Sequence, residues 1–368
     1  MMKFTVDDAI PYLRGVLEPY GEVEYLPGNK ISRADLLATD AMIIRTRTKC
    51  NEALLAGTPV KFIATATIGT DHIDGKALDR MGIQYVNAPG CNARSVAQYI
   101  ASVIFRDTHD PAGKTIGIIG AGHVGTQVES VAVALGMNVL RNDPPRARKE
   151  GPAGFVPLET ILKESDYVTL HTPLDMDSPD RTWHLANEEF FCKMAKQPLF
   201  INASRGEVTD PAALIAALLS KKIRGAALDV WEDEPEIDPE LLAMVRYATP
   251  HIAGYSADGK ANGTMMSVRA LADFFGLEPL KDFQPQGVPM PETPVITPDP
   301  GHAVRDCVLA SYDVLRDDAL LRGSPETFEA QRKHYPLRRE FGAYRIGNPE
   351  ALHSSALHTL KNLGFTIS

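Results

Sequence analysis

The chain has 368 residues, 44% of them hydrophobic and 23% charged, which gives room for two or three domains and excludes a disordered or fibrous protein. Its net charge is -9 and it has no basic run, which argues against nucleic acid or an anionic membrane as partner, although a local basic pocket can still hold a small anion. No apolar run approaches the ~20 residues that cross a bilayer, and Met1–Asp8 lack the apolar stretch of a signal peptide, so a cytoplasmic protein is expected.

Residues 2–6 predict a strand, Asp8 to Tyr20 a helix, Asp40–Arg45 a second strand and Val60–Thr65 a third. Strands alternating with helical stretches predict a parallel sheet. Ser95–Phe105 predicts a helix that is apolar on most sides. A sharper unit begins at Lys114. The apolar strand Thr115–Ile119 runs through Gly120-Ala-Gly122-His123-Val124-Gly125 into a helix ending near Leu135. Strands at Met137–Leu140, Tyr167–Leu170, Leu199–Asn202 and Gly225–Asp229 follow, with helices at Leu158–Glu164 and Pro211–Ser220. This rhythm is the doubly wound pattern. Seven prolines between Leu277 and Pro300 predict an extended linker. Beyond it come a helix from Ala303 to Arg316, a strand at Ala343–Ile346, a helix from Pro349 to Leu363 and a strand at Phe365–Ile367. The fold class is therefore α/β, with doubly wound parallel-sheet (Rossmann-like or flavodoxin-like) domains and a small C-terminal α+β module.

The GxGxxG string stands between strand and helix, where a dinucleotide motif requires it. Gly120 permits the tight turn, Gly122 lets a pyrophosphate approach the backbone, and Gly125 lets helix and strand pack closely. A carboxylate at Asp143, after the next strand, suits ribose hydroxyls and favours NAD over NADP. Arg141 and Arg146 flank it and would hold a 2′-phosphate if Asp143 pointed away; as surface charges they would do neither.

Three residues after predicted strands suit alcohol oxidation beside a carboxylate. Arg205, in Asn202-Ala-Ser-Arg-Gly206, offers a fork for a carboxylate. His251, in Thr249-Pro-His-Ile-Ala-Gly254, can carry a proton both ways. Glu234, in Asp229-Val-Trp-Glu-Asp-Glu-Pro235, could orient that imidazole. Taken singly, each is as well explained as a structural or solvated residue. Arg45-Thr-Arg-Thr-Lys49 could grip a phosphate or be a solvated loop; Arg45 and Thr46 are the stronger candidates, with Arg47 and Lys49 open. The cysteines, Cys50, Cys91, Cys192 and Cys307, form no CxxC pair, so free thiols and no metal site are expected.

In this order, Gly-Ala-Gly-His-Val-Gly, Asn-Ala-Ser-Arg-Gly, Leu-Asp-Val-Trp-Glu-Asp-Glu-Pro and Pro-His-Ile-Ala-Gly-Tyr resemble the D-2-hydroxyacid dehydrogenases. The resemblance implies catalytic roles for Arg205, Glu234 and His251. It adds His123, Val124, Thr172, Ala203, Ser204, Asp229 and Gly254 to the cofactor site of Gly120, Gly122, Gly125 and Asp143. It also implies a split layout: a substrate domain over 1–93 completed by a helix around 256–276, an NAD-binding domain over 94–255, a linker over 277–300 and a further domain over 301–368. Ala64–Asp74, Asn87–Asn92, Asn142–Arg146, Leu170–Leu174, Tyr312–Ala319 and Arg332-Lys-His-Tyr335 are similar to a narrower branch of that family, which oxidises 4-phospho-D-erythronate in pyridoxal phosphate synthesis. That likeness implies NAD as cofactor, substrate contacts from Thr46, Thr67 and Tyr255, and a homodimer formed through the C-terminal module. Two departures are Thr46 in place of Ser and a segment Phe105–Gly113 about one helical turn short. The alternatives left open are a related enzyme for another acid, such as 3-phosphoglycerate, and a non-catalytic NAD-sensing protein.

Overall fold

The computed structural model describes residues 1–367 and divides into two compact units, Met1–Asn92 with Ser256–Pro289, and Ala93–Tyr255 with Met290–Ser368. Each is built on parallel strands, as the sequence pattern leads one to expect.

The first unit opens with β1 (Met2–Asp7), β2 (Gly21–Leu26), β3 (Ala41–Ile44), α1 (Glu52–Leu55), β4 (Phe62–Thr65), α2 (Gly75–Met81) and β5 (Gln84–Val86), in the sheet order β2-β1-β3-β4-β5. β3 and β4 are buried at every residue, which is why they read as unbroken apolar runs. The expected helix over residues 8–20 does not form; the segment is a series of turns. Pro11 and Pro19 withhold amide donors, and Tyr12 and Gly15 take positive φ of 61° and 83°. β2 and the three-residue β5 are edge strands that alternation did not reveal.

The second unit begins with α3 (Ala93–Asp107), buried along most of its length. β6 (Thr115–Ile119), α4 (His123–Ala134), β7 (Asn138–Asn142), α5 (Pro144–Glu150), α6 (Leu158–Glu164), β8 (Tyr167–Leu170), α7 (Glu188–Cys192), β9 (Leu199–Asn202), α8 (Pro211–Leu219), β10 (Gly225–Leu228), α9 (Pro239–Met244) and β11 (Tyr247–Ala248) follow. The sheet order β11-β10-β9-β8-β6-β7 reverses direction beside β6, so the Gly120 turn leaves the sheet at its topological switch point. The Phe105–Gly113 segment is anchored by Asp107. Burial pushes its carboxyl up, but Arg224 at 2.7 Å, Tyr167 at 2.8 Å and Arg246 at 3.0 Å hold it below the usual carboxylate range.

α10 (Ala257–Phe275) returns to the first unit, capped by Ser256 and ended by Gly276 at φ 69°. Val268, Leu271 and Ala272 pack with Phe4 and Phe62, each large side chain stabilising by about 1.5–3 kcal/mol.

Residues from 290 onward belong to the second unit. β12 (Val295–Ile296), β13 (Arg345–Ile346) and β14 (Thr366–Ile367) form a parallel three-stranded sheet beside α11 (Ala303–Ser311), α12 (Val314–Gly323), α13 (Phe328–Lys333) and α14 (Ser354–Leu363). Cys307, Val308, Val314 and Leu360 share one core with Tyr99 and Ile104 of α3 and Val128 of α4. The helix expected over 303–316 is two helices. Asp313 breaks it by capping α12, and the Val314 amide donates to Ser102 at 2.9 Å. Among the described residues no helix is long and apolar enough to cross a membrane, no acidic, His or Cys cluster could hold a metal ion, and the four cysteines are unbridged.

Candidate active site

The glycine turn is shaped by close approaches. Gly120 sits at φ 89°, where a Cβ would lie 2.6 Å from the His171 carbonyl oxygen. A Cβ at Gly125 would meet the Gly120 oxygen at 2.1 Å, whereas one at Gly122 would meet nothing within 4 Å. Gly122 is the N-cap of α4 and brings no capping side chain, so none from the cap occupies the amides of the helix's first turn, and the space beside Gly122 is open. Asp143 binds the turn to the end of β7: it accepts the Ala121 amide at 2.9 Å and caps α5 by accepting the Arg146 amide at 3.0 Å. Arg146 pairs with Glu150 at 2.8 Å and Arg141 with Glu129 at 3.1 Å, so both arginines are engaged by carboxylates. Thr172 Oγ1 and His171 Nδ1 are buried without a hydrogen-bond partner, beside the Gly120 turn. Burial pushes the His171 imidazole down to about 3, so the ring is neutral. An uncapped helix N-terminus with open space at Gly122, next to an orphaned hydroxyl, fits a dinucleotide.

Three loops leave the C-terminal ends of β9, β10 and β11, and short bonds lock them together. In the first, Asn202 donates to the Arg205 carbonyl at 2.8 Å and accepts from the Ser204 amide at 3.0 Å, turning Ala203 and Ser204 toward the Arg205 bend. Gly206 lies so near the second loop that a Cβ would be 2.0 Å from the Trp231 carbonyl. Trp231 fastens the other two loops: its amide donates to Glu234 at 2.8 Å and its indole to the Thr249 carbonyl at 3.0 Å. Buried Asp229 organises the third. Its Oδ1 accepts from Thr249 at 2.7 Å and from the Ile252 amide at 2.8 Å, and Oδ2 accepts the Ala253 amide, just before Gly254, at 2.9 Å. The His251 amide donates to the Asp229 carbonyl at 2.6 Å. These bonds keep His251 at φ 56°, a left-handed conformation that costs a non-glycine residue about 1–3 kcal/mol.

His251 Nδ1 stands 2.7 Å from Glu234 Oε2. Burial pushes the Glu234 carboxyl up, but the His251 hydrogen bond and charge, the Trp231 amide and the Arg332 guanidinium bring it below the usual carboxylate range. Glu234 is therefore an anion at neutral pH. An anionic acceptor on Nδ1 puts the ring hydrogen there and leaves Nε2 as the basic nitrogen.

The first unit holds a separate group of candidates. Arg45 follows β3 and donates to the Ala9 carbonyl at 3.5 Å; Thr46, Arg47 and Lys49 are exposed. Thr67 Oγ1 is 2.8 Å from Thr65 Oγ1. Lys260, in the first turn of α10, escaped the sequence reading because it lies in an ordinary helical stretch. Burial and the Arg45 charge push its amine down, so one small region gathers positive charge that solvent does not relieve. In the second unit Tyr255 packs edge-on against Tyr335, ring centroids 5.8 Å apart, with the Arg332 guanidinium 5.8 Å from its own centroid. The Arg332–Tyr335 string was legible as a motif, but its place beside Tyr255 was not.

Residues 94–253 match the family model of the D-isomer specific 2-hydroxyacid dehydrogenase NAD binding domain, and residues 296–364 match a domain described only as of unknown function. The erythronate-4-phosphate dehydrogenase of Bacteroides thetaiotaomicron is 47% identical over 94% of this chain and 99% of its own length. That of Pectobacterium carotovorum is 40% identical over 100% and 99%. Among solved structures, NAD-bound 3-phosphoglycerate dehydrogenase of Entamoeba histolytica aligns with a TM-score of 0.64 and 26% identity, covering 78% of this chain and 99% of that one. D-lactate dehydrogenase of Aquifex aeolicus, complexed with NAD and lactic acid, aligns at 0.61 and 26%, covering 77% and 99%.

Proposed function

The chain belongs to the erythronate-4-phosphate dehydrogenases of the D-isomer specific 2-hydroxyacid dehydrogenase family, and from that premise we propose that it oxidises 4-phospho-D-erythronate to 2-oxo-3-hydroxy-4-phosphobutanoate in pyridoxal 5′-phosphate synthesis. It is an NAD-dependent oxidoreductase. The Gly120–Gly125 turn would hold NAD, which would supply the hydride acceptor for C2 of the acid.

The chain's own groups do the rest. Arg205 grips the substrate carboxylate with its planar fork. His251 Nε2 takes the C2 hydroxyl proton as the C–O bond becomes a carbonyl. Glu234, 2.7 Å from Nδ1, holds the ring and stabilises the imidazolium that forms. Asp229, Thr172, Ala203, Ser204 and Gly254 complete the cofactor side. Arg45, Thr46 and Lys260 bind the phosphate, while Thr67 and Tyr255 contact the carbon chain. The C-terminal module joins two copies into a homodimer working in the cytoplasm.

The observation that carries this reading is the His251–Glu234 pair locked to the Arg205 loop through Trp231 and Gly206. Single-turnover reduction of NAD by 4-phospho-D-erythronate, 3-phosphoglycerate and D-lactate tests it. Clear preference for the erythronate ester is expected. Preference for another acid would refute the substrate, and no reduction by any acid would refute the oxidation.

A further inference from the structure

The loop that carries His251 is held from a second side by residues far along the chain. Arg338, only 5% exposed, lies after α13. Its Nε donates to Gln98 Oε1 at 2.9 Å and its Nη2 to the Ser95 carbonyl at 2.7 Å, both on α3. Its Nη1 reaches the carbonyls of Ile252 and Ala253 at 3.4 and 3.3 Å. Ser95 Oγ donates to the same Ala253 carbonyl at 2.9 Å. The guanidinium lies 3.7 Å from the centre of the Tyr312 ring. Tyr312 and Tyr335 both donate to the buried Asp317, at 2.9 and 2.8 Å, and Tyr335 meets Tyr255 edge-on.

A buried guanidinium is costly unless its donors are satisfied. Here they are spent on α3 and on the two residues after His251, while Asp229 takes the amides of those same two residues. The peptide units following the catalytic histidine are thus held by an anion on their N–H side and a cation on their carbonyl side. That arrangement fixes a backbone held at positive φ, where an unsupported loop would relax.

We propose that the C-terminal module is a working part of the chain's own active site, with Arg338 and Tyr335 as positioning residues that hold the 251–255 loop for proton transfer. The module's role then goes beyond joining two copies. The inference rests on the assignment of His251 as the base.

The test uses the full-length enzyme carrying Arg338→Gln, with Arg106→Gln as control. Arg106 also binds the module, through Asp313, but makes no bond to the histidine loop. Misplacing a reacting group by about 1 Å costs up to roughly a hundredfold in rate, so kcat of Arg338→Gln should fall by about tenfold to a hundredfold. The NAD dissociation constant, read by fluorescence titration, should stay unchanged. Arg106→Gln should lower the thermal midpoint and leave kcat unchanged. Equal loss of kcat in both variants, or full activity in Arg338→Gln, overturns the proposal. If Arg338→Gln does not fold, Tyr335→Leu decides: lower kcat with NAD binding intact supports the positioning role, and unaltered kcat rejects it. Substantial turnover by His251→Ala would instead remove the base assignment itself, a failure distinct from an inactive His251→Ala beside a fully active Arg338→Gln.

Discussion

The proposed chemistry rests on a few side chains whose types were readable from the sequence while their meetings in space were not. Arg205, Glu234 and His251 stood out as an ordered set, yet spacing could not show that Trp231 fastens two of their loops or that Asp229 takes three hydrogen bonds from the third. Lys260 was invisible because a lysine in a helix is usually a solvated one. Its lowered amine has a consequence for stability. The charged form carries a cost at every pH below the depressed value, and that cost is relieved only as pH rises toward the ordinary 10.5. Lys260→Met should therefore raise the thermal midpoint at neutral pH. It should also raise KM for the phosphorylated acid by roughly tenfold, the scale of a lost charge-assisted contact, leaving NAD binding intact. A variant with unchanged KM would remove Lys260 from the phosphate site.

At the scale of elements, the parallel strands were legible because burial on both faces makes them continuous apolar runs, as in β6, β8 and β9. Edge strands such as β2 lack that signature, and the expected helix over 8–20 lost to its prolines and left-handed residues. The break between α11 and α12 depends on Ser102 and Arg106, which lie on α3 far away in sequence. One glycine governs how the strand ends meet. Gly206→Ala would place a Cβ 2.0 Å from backbone atoms of Trp231, which cannot swing aside as a side chain could. The Arg205 loop must then move off the Glu234 loop, at about 1–3 kcal/mol of stability, the usual range for overpacking. Thermal unfolding and kcat should both fall, and a variant indifferent in both would contradict the clamp.

For the whole molecule, the net charge of -9 opposes an anionic substrate, so the proposed function requires attraction that is local, of the kind the neighbouring charges of Arg45 and Lys260 offer within the first unit. The order of motifs made the family legible along nearly the entire chain, and the structure displays what several of their residues are for: Gly120, Gly125 and Gly206 stand at close backbone approaches, and His251 is bonded to Glu234. The placement of residues 290–367 in the same compact unit as the NAD-binding residues was not legible, since it depends on Arg338 bonding to α3 and the histidine loop and on Tyr312 packing against Tyr99 of α3. The central claim is that His251, set by Glu234, moves the proton while the hydride leaves. Stopped-flow formation of reduced NAD from 4-phospho-D-erythronate by NAD-saturated His251→Ala tests it most directly. The account predicts a loss of about 10²–10⁴ in rate with cofactor binding preserved; a rate close to that of the unaltered enzyme would contradict it.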